Sequence, residues 1–149
     1  LPPSLKDLKV AGNPIERLPE TLCATHVTEL RLEDLPHLDL DASLGVVARC
    51  PAIRTLALYG MRPRAEALAR LTQLTTLRVV AAGWSELPRA LGALEGLEAL
   101  SLDQNALTDL PNWLFSLPRL STIVVFANPI DRARIQALRE AHPAIKVEV

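Results

Sequence analysis

One short pattern occurs six times along this chain: an aliphatic residue, two others, a second aliphatic residue, one other, and a third aliphatic residue. The six copies begin at residues 5, 27, 53, 74, 97 and 120, so the spacings are 22, 26, 21, 23 and 23 residues. All eighteen aliphatic positions hold Leu, Ile or Val. A period of about 20–29 residues is typical of solenoids, in which each unit packs only against its neighbours. The pattern predicts a stack of short parallel strands, one from each repeat.

Length and composition fit a stack of this kind. The chain has 149 residues, of which 49% are hydrophobic but only 3% aromatic, so we expect one domain over 1–149 with an aliphatic core. Its net charge of −1 indicates no general attraction to nucleic acid or to anionic membranes, and we expect neither as a partner. No run of about 18 apolar residues occurs that could form a transmembrane helix.

The two cysteines, Cys23 and Cys50, lie 27 residues apart in different repeats. A disulfide framework usually has more cysteines at closer spacing. We therefore expect both to be reduced, partly buried thiols, which favours a reducing compartment and a cytoplasmic location.

Within each repeat, strand alternation directs the second and third aliphatic residues inward and the intervening residues outward. Three repeats place an asparagine three residues after the last aliphatic position, at Asn13, Asn105 and Asn128. A buried amide there can bond the backbone of its own turn and of a neighbouring repeat. The other three repeats hold Leu35, Met61 and Ala82 at this position, so we expect their turns to bend differently.

The segments between the strands differ in kind. Leu-Pro pairs at 18–19, 87–88 and 110–111 predict extended or 3₁₀ turns, because proline disfavours helix just before it. The segments 41–50 and 62–71 read as short helices, with Asp41 as the cap of the first and Pro63 in the first turn of the second.

Both ends of the chain stand apart from the repeats. Residues 129–149 predict a C-terminal cap, with an amphipathic helix capped by Asp131 and a last strand at 145–149. The N-terminal end enters a repeat directly and has no cap. We therefore expect residues to precede Leu1 in the natural protein, and the chain to be a piece of a longer one.

The fifth repeat, LEGLEALSLDQNALTDLPNWLFS, resembles the leucine-rich-repeat pattern LxxLxLxxNxLxxLPxxLxx almost throughout. The resemblance extends over essentially all of 1–149 and implies a right-handed α/β solenoid with concave parallel strands and a mixed helical and extended convex side. The first repeat, LPPSLKDLKVAGNPIERLPE, is similar to the LPX-type repeats of secreted bacterial ubiquitin-ligase effectors. The Leu-Pro units also resemble intracellular signalling scaffolds and the repeat domains of Roco-type GTPases. The composition, rich in Ala, Arg and Leu, looks bacterial.

No grouping of residues in the sequence points to catalysis. The histidines lie at His26, His37 and His142, without metal-ligand spacing to either cysteine. The acidic cluster at Glu29, Glu33 and Asp34 lacks the ligand spacing of a calcium loop and reads as a solvated strip. We therefore assign no catalytic residue, metal or cofactor, and expect the chain not to be an enzyme.

The outward strand positions carry the candidate site. Tyr59, Val80, Val124 and Phe126 are apolar residues that the register directs to solvent, as expected of a protein-binding surface. Ordinary β-propensity is the alternative explanation, since Val and Phe fit strands anywhere. The candidate partner-binding residues are Tyr59, Arg78, Val80, Val124, Phe126, Arg31 and Glu33. Trp84 lies at an inward register, and we expect it in the core.

The sequence thus predicts a protein–protein interaction module, a monomer rather than a homo-oligomer, that binds a partner protein through its concave face. Two alternatives remain open. The chain could be the substrate-recognition or autoinhibitory domain of a larger enzyme whose catalytic domain lies outside 1–149, in which case the location could be the cytoplasm of a host. It could also be a self-associating scaffold.

Overall fold

The computed structural model describes residues 2–149, which form one sheet of seven parallel strands. The strands are β1 (Asp7–Ala11), β2 (Glu29–Glu33), β3 (Thr55–Tyr59), β4 (Thr76–Val80), β5 (Ala99–Ser101), β6 (Thr122–Val124) and β7 (Lys146–Glu148). Their order across the sheet is their order along the chain. Equivalent residues pair throughout, so Leu8, Leu30 and Leu56 lie opposite one another on the first three strands. One strand for each of the six repeats, in sequence order, confirms the predicted solenoid, and β7 adds a seventh beyond them.

The core consists of the repeated aliphatic residues stacked from repeat to repeat. Fifteen of the eighteen are buried, and the three that are only half-buried, Leu5, Leu8 and Val10, all belong to the first repeat. Full burial of one such side chain stabilises the fold by about 1.5–3 kcal/mol. Trp84 joins this core, as predicted. The first repeat is therefore packed less completely than the other five.

A left-handed backbone residue follows the strand in every repeat. The six residues, each two positions after the last aliphatic residue, are Gly12, Asp34, Gly60, Ala81, Gln104 and Ala127, with φ between 50° and 66°. Glycine adopts this conformation without a steric penalty, whereas other residues lose about 1–2 kcal/mol. All six repeats thus share this turn geometry, and the four repeats without glycine at this position carry the backbone strain.

Asn105 connects its own turn to the repeat before it. Its Oδ1 accepts hydrogen bonds from the backbone N–H groups of Ala82 (3.0 Å) and Trp84 (3.2 Å). Its Nδ2 donates to the carbonyl oxygens of Val79 and Leu102, both at 2.9 Å. Each of these groups is removed from water, so the amide replaces hydrogen bonds that the turn would otherwise lack.

Asn128 repeats this arrangement one unit later, whereas Asn13 does not. Asn128 accepts from the N–H of Leu107 (3.0 Å) and donates to the carbonyl of Leu102 (2.9 Å), again in the preceding repeat. Asn13 is exposed, so the prediction of a buried amide was wrong there. The physical reason is that these bonds reach backwards, and β1 is the first strand of the described sheet.

The convex side is mixed, as predicted. The 3₁₀ helices are Glu20–Ala24, Arg89–Ala93 and Asn112–Ser116, and each begins directly after the proline of a Leu-Pro pair. The α-helices are α1 (Leu40–Ala48), α2 (Ala65–Ala69) and α3 (Arg132–Ala141).

Two details of the predicted helix starts were wrong. The cap of α1 is Asp39, whose side chain accepts from the Ala42 N–H, and not Asp41. Helix α2 begins at Ala65, so Pro63 lies before it.

The C-terminal unit matches its prediction. The Asp131 side chain accepts from the N–H groups of Ala133 and Arg134, and Ile135 and Leu138 are buried against the last repeat. Strand β7 then pairs with β6. Across residues 2–149, every helix is too short or too polar to cross a lipid bilayer.

Cys23 and Cys50 form a disulfide, so the prediction of two reduced thiols was wrong. Cys23 lies in the first 3₁₀ helix and Cys50 just after α1, with their Cα atoms 4.5 Å apart. Their sequence separation of 27 corresponds to one turn of the solenoid, which brings nearly equivalent positions of adjacent repeats together. The disulfide joins the first repeat to the second. It also removes the premise from which we inferred a reducing compartment.

Candidate functional site

The concave face is the side of the sheet that carries the outward residues of the strands. These residues form three rows that run across the stack, one row for each outward position. The first row is Asp7, Glu29, Thr55, Thr76, Ala99, Thr122 and Lys146; the second is Lys9, Arg31, Ala57, Arg78, Ser101, Val124 and Glu148. The third is Ala11, Glu33, Tyr59 and Val80, followed by Asp103 and Phe126 at the equivalent sequence positions of the next two repeats.

The charged residues of β1 and β2 form ion pairs with one another. Lys9 Nζ lies 2.5 Å from Glu33 Oε2, and Arg31 Nη2 lies 2.8 Å from Glu29 Oε1 and 3.5 Å from Asp7 Oδ2. The hydrogen bond and charge of Glu29, with the charge of Asp7, raise the pKa of Arg31 above its ordinary value. Arg31 and Glu33, both predicted as partner-binding residues, are therefore already engaged within the chain. They form a polar margin beside β3.

Towards the middle and the C-terminal end the same face is less charged and partly apolar. Tyr59 and Val124 are half-buried, and Phe126 is 48% exposed. Among residues 2–149, Phe126 and Val149 are the large hydrophobic side chains that stand exposed. Tyr59 and Phe126 lie three strands apart, or about 14 Å. The two aromatic residues thus share the face but do not touch.

Val80 does not contribute an exposed surface. It lies in the row between Tyr59 and Asp103 but is only 9% exposed, so the prediction that it points to open solvent was wrong. Its short side chain stands beside the longer Tyr59, and neighbouring side chains on a concave sheet cover one another. Val80 is part of the floor of the site rather than of its contact surface.

Arg78 is the exposed cation at the centre of the concave face. Its in-register neighbours are Ala57 on β3 and Ser101 on β5, both of which are small and uncharged. Within residues 2–149 the structure gives Arg78 no ion pair and no side-chain hydrogen bond. Its guanidinium therefore remains available to a bound molecule.

Asp103 holds the turn that presents Phe126, a role that sequence reasoning missed. Its Oδ1 accepts from the Phe126 backbone N–H at 2.9 Å, and its Oδ2 accepts from the Ser101 hydroxyl at 3.0 Å. Both carboxylate oxygens are thus engaged. The signal was present in the sequence as Ser-Leu-Asp at a strand end, but short polar motifs of this kind are common in turns.

We call Tyr59, Arg78, Val124 and Phe126 the central patch. Of the seven predicted residues, the structure leaves these four accessible on one face, places Arg31 and Glu33 beside them on β2, and buries Val80. A cation flanked at a distance by two aromatic residues suits contact with a peptide or protein surface.

His142 and the two cysteines, whose side chains could take part in chemistry, make structural contacts instead. The ring of His142 stacks on Phe115 at 4.3 Å and 12°. Cys23 is half of the disulfide, so it offers no thiol to His26. Among residues 2–149, no three His, Cys, Asp or Glu side chains lie together in an arrangement that could hold a metal ion.

Comparison with known proteins identifies the architecture. No protein-family model matches the chain, and no curated protein matches it. Among solved structures, a leucine-rich-repeat protein of Leptospira interrogans superposes with a TM-score of 0.65 at 21% sequence identity, over 97% of this chain. The chain spans 37% of the length of that protein. Seven parallel strands in sequence order, the repeated aliphatic register and this superposition together establish that the chain has the leucine-rich-repeat fold.

Proposed function

We propose that this chain binds a partner protein through its concave face, with the central patch as the main contact. One observation carries the proposal: the Phe126 side chain is 48% exposed, and its backbone N–H is held by a hydrogen bond to the Asp103 carboxylate. Exposing a phenylalanine forfeits hydrophobic stabilisation, and a backbone that is held in place limits the positions that the ring can reach. A partner that covers Phe126 would regain that burial.

The rigidity of the surface also supports binding. Tyr59, Arg78 and Val124 stand on paired strands whose inward neighbours are buried in the continuous core. Little backbone ordering would accompany association, so more of the contact energy would appear as affinity. The ion-paired residues of β1 and β2 would lie at the polar rim of the interface.

A pull-down with paired baits tests this proposal. The parent chain and the Tyr59→Glu/Phe126→Glu variant are each incubated with lysate, after circular dichroism has checked that both are folded. The control bait is Thr72→Glu/Ser116→Glu, which changes the net charge equally at two exposed residues outside the strands. We expect one protein to be retained by the parent and the control but lost by the Tyr59→Glu/Phe126→Glu variant.

If the folded Tyr59→Glu/Phe126→Glu variant retains the same proteins as the parent, the concave face is not the binding surface. Should the double Glu variant unfold, Tyr59→Ser/Phe126→Ser replaces it, because the hydroxyl is small and uncharged. Loss of binding by the Thr72→Glu/Ser116→Glu control alone would place the contact outside the strands and contradict the proposal.

The two alternatives from the sequence make different predictions. A self-associating scaffold would use the apolar groove of about 410 Å³ beside β1, lined by Leu8, Val10, Ile15 and Leu22 among others. Light scattering would then give a dimer mass that falls to the monomer value in Leu8→Glu. A recognition or autoinhibitory domain of a larger enzyme would change ubiquitin transfer or nucleotide hydrolysis in a longer chain when the central patch is altered.

A further inference from the structure

We propose that the partner of the central patch presents a carboxylate, from an aspartate or glutamate side chain, to Arg78. This inference rests on the proposed function, since it specifies the chemistry of the partner at the same surface. The concave rows carry four cations, Lys9, Arg31, Arg78 and Lys146, and among these four Arg78 is the one without an ion pair in the described chain.

The other cations of the concave rows are all paired. Lys9 contacts Glu33 at 2.5 Å, Arg31 contacts Glu29 at 2.8 Å, and Lys146 contacts Glu148 at 2.5 Å. Each of these pairs joins residues of the same strand or of adjacent strands, so no bound molecule is needed to balance them. Arg78 has no such carboxylate among residues 2–149.

The acidic residue at the end of the strand beside Arg78, Asp103, makes its hydrogen bonds elsewhere. Asp103 follows β5, diagonally across from Arg78, but its two oxygens accept from the Phe126 N–H (2.9 Å) and from the Ser101 hydroxyl (3.0 Å). In the described chain Asp103 therefore bonds to its own strand and to the Phe126 turn, and it makes no ion pair with Arg78.

The small neighbours of Arg78 leave room for a ligand group. Ala57 and Ser101 flank it on adjacent strands, and Val80 beside it forms a nearly buried floor. A planar guanidinium over small side chains can meet both oxygens of a carboxylate with two parallel hydrogen bonds. A partner lying over Tyr59 and Phe126 would exclude water from this pair, which strengthens the interaction.

Charge and geometry therefore specify one kind of partner surface. It carries an acidic side chain, with apolar side chains on either side that reach Tyr59 and Phe126. A basic or neutral group at the central position would leave the guanidinium desolvated and unpaired, which weakens binding.

Two matched peptides test the inference on the isotope-labelled chain. Acetyl-Leu-Gly-Asp-Gly-Leu-amide and acetyl-Leu-Gly-Asn-Gly-Leu-amide differ only in the charge of the central residue, and in an extended chain their two leucines lie about 13 Å apart on the same side as that residue. Each peptide is titrated while the Arg78 Nε–H resonance is followed by NMR. We expect a saturable shift with the acidic peptide and a Kd at least about five-fold lower than with the amide peptide. Arg70, an exposed arginine just after α2 on the convex side, is the internal control and should shift little.

Variants separate this inference from the proposed function. Arg78→Gln should abolish the preference for the acidic peptide and weaken retention of the captured protein about ten-fold or more, Arg78→Lys should restore part of both, and Arg70→Gln should change neither. Equal affinity for the two peptides, or an equal shift at Arg70, would overturn the inference. A captured protein that is lost by Tyr59→Glu/Phe126→Glu but bound equally well by Arg78→Gln would support binding through the concave face. The same result would refute the inference that the partner presents a carboxylate to Arg78.

Discussion

The first two repeats and the last two repeats share one strand register, but different bonds hold neighbouring repeats together in the two regions. At the N-terminal end, a disulfide joins Cys23 to Cys50, and ion pairs connect the outward residues of β1 and β2. At the C-terminal end, Asn105 and Asn128 fasten each turn to the one before it. The aliphatic pattern is the same in both regions.

The difference shows that the aliphatic repeat specifies the stack, while other residues decide how tightly adjacent units are joined. The hydrogen bonds that Asn105 and Asn128 make to another repeat all go to the preceding repeat. An asparagine at this position can therefore join two repeats only where a repeat precedes its own. A covalent link has no such requirement. It also constrains the least buried repeat, where Leu5, Leu8 and Val10 remain half-exposed.

The largest expected contrast comes from matched core truncations. Leu100→Ala, in the fully buried core, should lower the free energy of unfolding by about 4 kcal/mol because it leaves a cavity. Leu8→Ala, at the equivalent position of the half-buried first repeat, should cost only about 1–2 kcal/mol. Urea denaturation followed by circular dichroism measures both values, and equal costs would refute the view that the two ends are packed differently.

Removing the disulfide should have the next largest effect. Cys23→Ser/Cys50→Ser, or reductant added to the parent, should lower the free energy of unfolding by about 3.5 kcal/mol, the loop-closure value for 27 residues. Thermal unfolding with and without reductant gives the measurement, and reductant must leave the double Ser variant unchanged. A parent chain whose melting temperature does not respond to reductant would show that the disulfide does not support the first repeats.

Replacing the asparagines tests the opposite end. Asn105→Ala leaves the buried N–H groups of Ala82 and Trp84 without acceptors, so we expect a loss of about 2–3 kcal/mol. Asn13→Ala, at the same position of the exposed first turn, should change stability by less than about 0.5 kcal/mol. Hydrogen exchange of the Ala82 and Trp84 amides would show whether the effect is local. Similar losses in both variants would mean that burial does not distinguish the two turns.

The left-handed turn residues give the smallest expected effect. Glycine occupies this position in the first and third repeats, whereas Ala81 and Ala127 adopt it at φ 55° in later ones. Ala81→Gly should stabilise by about 0.5 kcal/mol, because relief of αL strain slightly exceeds the added chain entropy. Gly60→Ala should cost about 1 kcal/mol. Chemical denaturation of the two variants checks the signs, and a destabilised Ala81→Gly would contradict the strain argument.

The sequence predicts the register well because inward and outward positions follow from a period of two and from the stacking of equivalent residues. This is why Trp84 could be placed in the core in advance. The disulfide could not be, since a separation of 27 residues looks large until the solenoid makes it one turn. The exposure of Val80 depends on the length of its neighbours, and the role of Asp103 depends on a turn geometry that no single residue encodes.

The most direct test of the central claim is to locate the contact by photo-crosslinking. A benzophenone side chain is introduced at position 126 on the concave face or at position 70 on the convex side, and the chain is irradiated with the protein captured in the pull-down. Binding through the central patch predicts a crosslinked product from position 126 and little or none from position 70. Crosslinking from position 70 but not from position 126 would contradict the account.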